Sequence, residues 1–176
     1  MIMHAATAIS DRRPADHPAP GTSLRLFRPG NPVTALGLAV GHLMTKAPFA
    51  QLPMGGWGRI LVGQINRGHY YFVVDGENRV VGFLGWALTS EDRAEAWLLG
   101  RRGIGHDDAA DGDCVVFNAW AADTAAVNRF VLDAARNVVR DRRLIYSKRY
   151  YQNGRVRPLR IGVNDFVGRH IDRLRA

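Results

Sequence analysis

Gly112-Asp113-Cys114-Val115-Val116-Phe117-Asn118-Ala119-Trp120-Ala121 is the stretch on which the fold turns. An acidic, Gly-containing turn opens it, and a run dominated by apolar residues follows, with β-branched Val115 and Val116 at its start. Asp123-Thr124 then supplies a helix cap. A short apolar run bounded by a turn and a cap reads as a buried strand, here the central one, over Val115 to Ala121. The helix after it is expected to run to about Arg140, with Val127, Val131, Ala134, Ala135 and Val138 on one face.

Upstream lies a hairpin. Tyr70 to Val74 is aromatic and β-branched, Asp75-Gly76-Glu77-Asn78 is a turn signal, and Val80 to Ala87 is the answering strand. Before it, Asn31 and Pro32 read as N-cap and first turn of a helix. Leu36, Val40, Leu43 and Met44 form its apolar stripe, and Pro48 is expected to end it. Gly55-Gly56-Trp57-Gly58 reads as a turn before a second short helix, Arg59 to Ile65. Glu91 to Leu99 reads as a short helix and Gly100 to Asp113 as a loop. Leu144 to Tyr151 and Val156 to Val163 flank a Gln152-Asn153-Gly154 turn and make a last hairpin. Residues 1–30, with Pro14, Pro18, Pro20 and Pro29, read as a flexible arm, and residues 31–176 as one domain. The fold class expected is α/β: a single, mostly antiparallel sheet flanked by helices.

Composition narrows the function. A chain of 176 residues that is 47% hydrophobic can bury a real core. The single cysteine, Cys114, excludes a disulfide framework and argues against a cysteine zinc site; it reads as a buried structural thiol. No apolar run approaches the ~20 residues that span a bilayer, and the N-terminus lacks a signal-peptide pattern, so a cytoplasmic location is expected. The net charge of +8 is concentrated: residues 140–176 hold 11 of the 24 Lys and Arg but 3 of the 16 acidic residues. Such a basic end attracts an acidic partner over about 8–10 Å at ordinary salt.

Taken together, Gly112-Asp113 to Trp120, Gly85-Trp86-Ala87 and Leu36-Gly37 leading to Ala47-Pro48-Phe49-Ala50 resemble the toxin-activating lysine acyltransferases. The resemblance spans about residues 31–163 and implies an acetyltransferase-like (GNAT-like) fold. It also implies fatty acyl transfer from acyl carrier protein to a lysine amine of a protein or peptide, with no bound cofactor and the carrier's phosphopantetheine thioester as donor. The family's histidine, in Ser-Pro-x-His, falls on Ala50, and its aspartate, in Asp-Trp, falls on Ala119. Neither methyl group can move a proton.

Two readings follow. In one the base has moved to His42 or His69, while Asn118 polarises the carbonyl and Trp86, Phe117 and Trp120 line the acyl tunnel. In the other the chain is a non-catalytic relative that binds the carrier protein or a lipid. Lys148, Arg149, Arg155, Arg157 and Arg160, interleaved with Tyr146, Tyr150 and Tyr151, would dock the carrier in either case. The same pattern also suits single-stranded nucleic acid, a third reading. The sequence permits a homodimer.

Other motifs carry less. Gly100-Arg101-Arg102-Gly103-Ile104-Gly105 is no dinucleotide fingerprint, because no strand runs into it. Asp107, Asp108, Asp111 and Asp113 match no calcium loop, so no metal is expected. His106 beside them reads as solvated.

Overall fold

The computed structural model describes residues 7–8, 23–151 and 154–163. The strands are β1 (Thr7–Ala8), β2 (Arg25–Phe27), β3 (Tyr70–Val74), β4 (Val80–Thr89), β5 (Cys114–Ala122), β6 (Leu144–Tyr150) and β7 (Val156–Gly162). The helices are α1 (Pro32–Leu43), α2 (Ala47–Ala50), α3 (Met54–Arg67), α4 (Glu91–Leu98) and α5 (Ala125–Val139), with a 3₁₀ turn at Asp107–Ala109. They form one mixed sheet, ordered β2-β3-β4-β5-β1-β6-β7, with helices on both faces. The chain is therefore α/β, as expected, and β5 is the central strand.

Two local signals form as written. Asn31 Oδ1 accepts from the Val33 and Thr34 amides at 2.8 and 3.1 Å, and Thr124 Oγ1 accepts from Val127 N at 3.2 Å. Each relieves orphan donors at a helix start, typically by about 1 kcal/mol.

Elsewhere tertiary packing overrides the local signal. The first helix stops at Leu43, and Pro48 lies in the first turn of α2 instead of ending α1. The glycines 55, 56 and 58 lie inside α3, not in a turn. Trp57, Leu61, Gln64 and Ile65 recur at helical spacing and are all buried, and that anchored face outweighs roughly 1 kcal/mol of propensity lost per glycine. Arg25–Phe27, assigned to the arm from sequence, pairs with Val74–Phe72 as an edge strand. Thr7–Ala8 also joins the sheet, while the rest of the arm before residue 23 lies outside the described residues.

Strand alternation sorts the core. Tyr70, Phe72, Phe83, Ala119 and Ala121 face α1 and α3, while Leu84, Trp86, Val115, Phe117 and Trp120 face α5. Ala87, Cys114, Val116, Leu144 and Tyr146 pack with Ala94 and Trp97 of α4.

The mostly antiparallel expectation holds for four pairings, β2/β3, β3/β4, β4/β5 and β6/β7; β5, β6 and β1 are mutually parallel. Direct pairing of β5 with β6 runs only from Cys114↔Leu144 to Phe117↔Ser147. Beyond that point the two strands part, and β1 lies between them, with Thr7 opposite both Trp120 and Arg149. The outer edge of β7 is exposed and carries Pro158 in mid-strand. Among the described residues no helix is long and apolar enough to cross a membrane.

Candidate active site

The site begins with an irregularity in β5. Gly85 pairs with Ala119, but the next residue, Trp86, pairs with Phe117. Asn118 is thus the extra residue of a β-bulge, and it shares the α3 side of the sheet with Ala119 instead of alternating with it. The resemblance puts the family's aspartate on Ala119, directly beside Asn118. The bulge puts both on one face, at the end of the β5–β6 pairing.

On that face Asn118 meets Gln64 of α3. Gln64 Nε2 donates to Asn118 Oδ1 at 2.5 Å, and both side chains are buried. A Cβ on Gly85 would lie 2.5–2.7 Å from three atoms of the Gln64 amide, so only glycine there admits the glutamine. With Oδ1 engaged, Asn118 has its two amide hydrogens left to give. Gln64 Oε1 is buried and has no partner among the described residues.

Asn118 forms part of the wall of a 470 Å³ cavity between α3 and the loop through Gly103–Ala109. This size is ordinary for a small-molecule site. Ile60, Ala87, Ile104 and Ala109 make the apolar lining, while Arg59, Arg67 and His106 supply the polar groups. Among the described residues no carboxylate lines it. Arg67 Nη1 donates to His106 Nδ1 at 3.0 Å and to the His106 carbonyl at 3.3 Å. An arginine offers only donors, so Nδ1 is the acceptor and the ring carries its proton on Nε2. Arg67 Nε is buried without a partner among the described residues. Burial holds the Arg67 guanidinium below its ordinary pKa.

No protein-family model matches this chain, and no curated protein matches it.

Of the expected catalytic group, the cavity contains Asn118 and neither histidine. His42 is buried at the end of α1, with Nε2 3.8 Å from Asp123 and its ring hydrogen-bonded to the Val80 backbone. Asp123 is five residues beyond Asn118, about 16 Å along the strand, and His42 lies beside Asp123. Burial, only partly offset by Asp123, lowers the His42 pKa. His69 precedes β3, stacks on Trp86 at 5.7 Å and hydrogen-bonds the backbone of Ala109 behind the cavity wall. Its Nδ1 is buried and unpartnered; burial first and Arg67 second lower its pKa. The imidazole that lines the cavity is His106, exposed as expected but held by Arg67. Sequence gave no sign of this, because residues 67 and 106 meet only through the fold.

Trp86, Phe117 and Trp120 lie on the opposite face of the sheet, packed against α5, with Trp120 Nε1 bonded to Asn128 at 2.9 Å. They are core residues and line no part of the cavity. Period-2 alternation is the reason: each neighbours in sequence a residue of the α3 side.

The basic hairpin is also divided by alternation. Tyr146 and Lys148 are buried on the α4 side, while Tyr150 packs against the α1 and α3 cluster with its Oη buried and without a partner among the described residues. Lys148 Nζ donates to Trp97 O at 2.7 Å and lies 4.5 Å from the indole centroid; burial brings its pKa down to about 8. Lys148 therefore cannot dock a partner from its buried position. Arg160 is engaged by Glu91, Glu95 and Tyr146 Oη. Arg149 and Arg155 flank the Tyr151 ring at 4.9 and 4.3 Å, and Arg157 also hydrogen-bonds that tyrosine. Of the five docking cations, Lys148 is buried and Arg149 half-buried, while Arg155, Arg157 and Arg160 are exposed, Arg160 being already paired with acidic side chains. With Tyr146 and Tyr150 turned inward, the stacking platform expected for nucleic acid is reduced to Tyr151.

The acidic loop is tied down by ion pairs. Asp108 meets Arg93 and Arg102, and Asp113 meets Arg143 at 2.7 Å. Among the described residues no cluster of three metal-ligating side chains exists. Cys114 is fully buried, and burial with the neighbouring Asp113 pushes its thiol up to about 12, which suits a structural role and not a nucleophile.

Proposed function

We propose that the protein is an acyltransferase that takes a fatty acyl group from a carrier-protein thioester to an amine, with Asn118 as the carbonyl-polarising group. The observation that carries the reading is the coincidence of three features at one point. Pairing of the parallel strands β5 and β6 ends at Phe117, the bulge turns Asn118 toward α3, and the cavity opens there. Ligands of α/β sheets are commonly held beyond the carboxyl ends of parallel strands, where such strands part. A bulge is a common device for re-aiming a functional side chain.

The chemistry follows from the donors. A thioester carbonyl beside Asn118 would meet an amide N–H aimed by Gln64, ready for the oxyanion that forms on attack. The amine attacks the carbonyl carbon, the C–S bond breaks, and the carrier thiolate leaves with its charge balanced by the proton released from nitrogen to solvent. No free base lines the cavity, so the amine must arrive neutral. Arg59 and Arg67 favour that: a cationic surrounding lowers an ammonium's pKa, as it does for nucleophilic lysines. The basic end of the chain, through Arg149, Arg155 and Arg157, suits an acidic carrier protein.

A second reading rests on the same lack of a base: a relative that holds the acyl chain or carrier without transferring it. Intact-mass analysis of acyl-carrier protein and a lysine peptide, incubated with the protein, separates the two. Transfer that falls about 10²- to 10³-fold in Asn118→Ala is expected. Carrier binding without transfer favours the second reading, and transfer indifferent to Asn118→Ala overturns the role of Asn118.

A further inference from the structure

We propose that the cavity is a binding site for a free acyl chain with an anionic head, the head held by Arg67 and Arg59 and the chain lying against Ile60 and Ile104. The inference needs only the cavity and not the transfer reaction, so the two can fail separately.

The cavity is divided in character. One part of the lining is aliphatic, and the other is cationic or hydrogen-bond-donating, with no acceptor carboxylate to neutralise it. Elsewhere in the described residues, arginines such as Arg79, Arg136, Arg143 and Arg160 meet carboxylates. No acidic group lies within 4 Å of Arg67 or Arg59 among the described residues. Arg67 is only half exposed, and its buried Nε–H has no partner. An arginine so placed is short of an anion, since guanidinium groups satisfy themselves best with carboxylate or phosphate.

The fold also makes room for it. A Cβ on Gly63 would stand 3.0 and 3.1 Å from the two terminal nitrogens of Arg67 and 3.4 Å from His106 Nδ1. Glycine at 63 leaves the space in which the guanidinium lies along α3 and reaches His106. Because His106 Nδ1 accepts from Arg67, its Nε2–H is a further donor. Asn118 offers the last donor of the set. A neutral or cationic amphiphile would leave these donors unsatisfied, whereas a carboxylate or a phosphate monoester would use them.

The test is binding of decanoate, decyl phosphate and decanol, each below its aggregation limit, to the full chain by titration calorimetry, with acetate as the chainless control. Decanoate or decyl phosphate should bind at least tenfold tighter than decanol and than acetate, and the tighter of the two identifies the head group. Arg67→Gln should remove most of that tenfold preference, as should Arg59→Gln, whose exposed side chain is not needed for folding. Retention of decanol binding by both variants checks that the cavity is intact. Equal binding of decanol and decanoate, no binding of either anion, or a preference unchanged in both variants would overturn the proposal.

Discussion

Gly85→Ala is a sharp perturbation available in this structure, because it adds one carbon and is aimed at one hydrogen bond. The new Cβ would lie 2.5 Å from Gln64 Oε1 and 2.7 Å from Cδ and Nε2, well inside contact distance. Gln64 is fully buried and the added carbon overlaps its amide, so that amide must be displaced from Asn118. The bond lost contributes about 1 kcal/mol, and stranding Asn118 Oδ1 costs about 1–3 kcal/mol more. Residual overpacking adds about 1 kcal/mol or above. The total is about 3–5 kcal/mol, a large fraction of the stability of a domain this size. The assay is urea unfolding of four proteins: the wild type, Gly85→Ala, Gln64→Ala and the double variant. Gln64→Ala removes the obstacle, so Gly85→Ala should cost about 3 kcal/mol less in that background than alone. A coupling energy within about 0.5 kcal/mol of zero would refute the reasoning, since independent sites add to that accuracy.

Three further expectations concern charge and the sheet. Lys148, with its pKa lowered to about 8 by burial, destabilises the fold below pH 8, and the penalty fades as pH rises toward the unfolded value of 10.5. Lys148→Met should therefore abolish a rise in stability between pH 8 and 10.5 and gain about 1–2 kcal/mol at pH 7, after allowance for the bond to Trp97; equal pH slopes in wild type and variant would count against it. Burial depresses His42 and His69, so the unfolded chain takes up protons first and stability should fall as pH drops through 6.5. His42→Gln should flatten part of that loss in denaturation midpoints measured from pH 7.5 to 5, while leaving any transfer activity in place. Deleting residues 1–22 removes β1 from between β5 and β6, and carrier-protein affinity measured by calorimetry should rise severalfold; unchanged or weaker binding would show that β1 does not compete for the opening.

The elements legible in the sequence were those in which local chemistry and burial agree. The hairpin over Tyr70 to Thr89, the capped helix α5 and the central strand each carry their own turn or cap signal and a periodic apolar face. The body of α3 is legible over Arg59 to Ile65, but its first turn is not, because the glycines signal a turn locally and the decisive fact, Trp57 and Leu61 buried under α1, is a tertiary one. The same limit applied at the site. Asn118 stood out in an apolar strand, but the bulge that aims it, the glutamine that holds it and the Arg67–His106 contact all join residues 31 or more positions apart. No periodicity encodes such meetings. The tryptophans drew attention as tunnel residues because residue type is visible in sequence, whereas the side of the sheet they occupy depends on register.

The two margins of the sheet have a consequence for assembly. A bare strand edge offers a ladder of donors and acceptors to any chain that can lie beside it. One margin here, β2, is only three residues long, and the other, β7, has a proline in place of a donor at position 158. Neither margin is a good template for a further strand. Two copies of this protein would thus be poorly suited to joining their sheets end to end; any pairing between them would rest on side chains, and would be adjustable by substitution without disturbing the backbone ladder inside each copy.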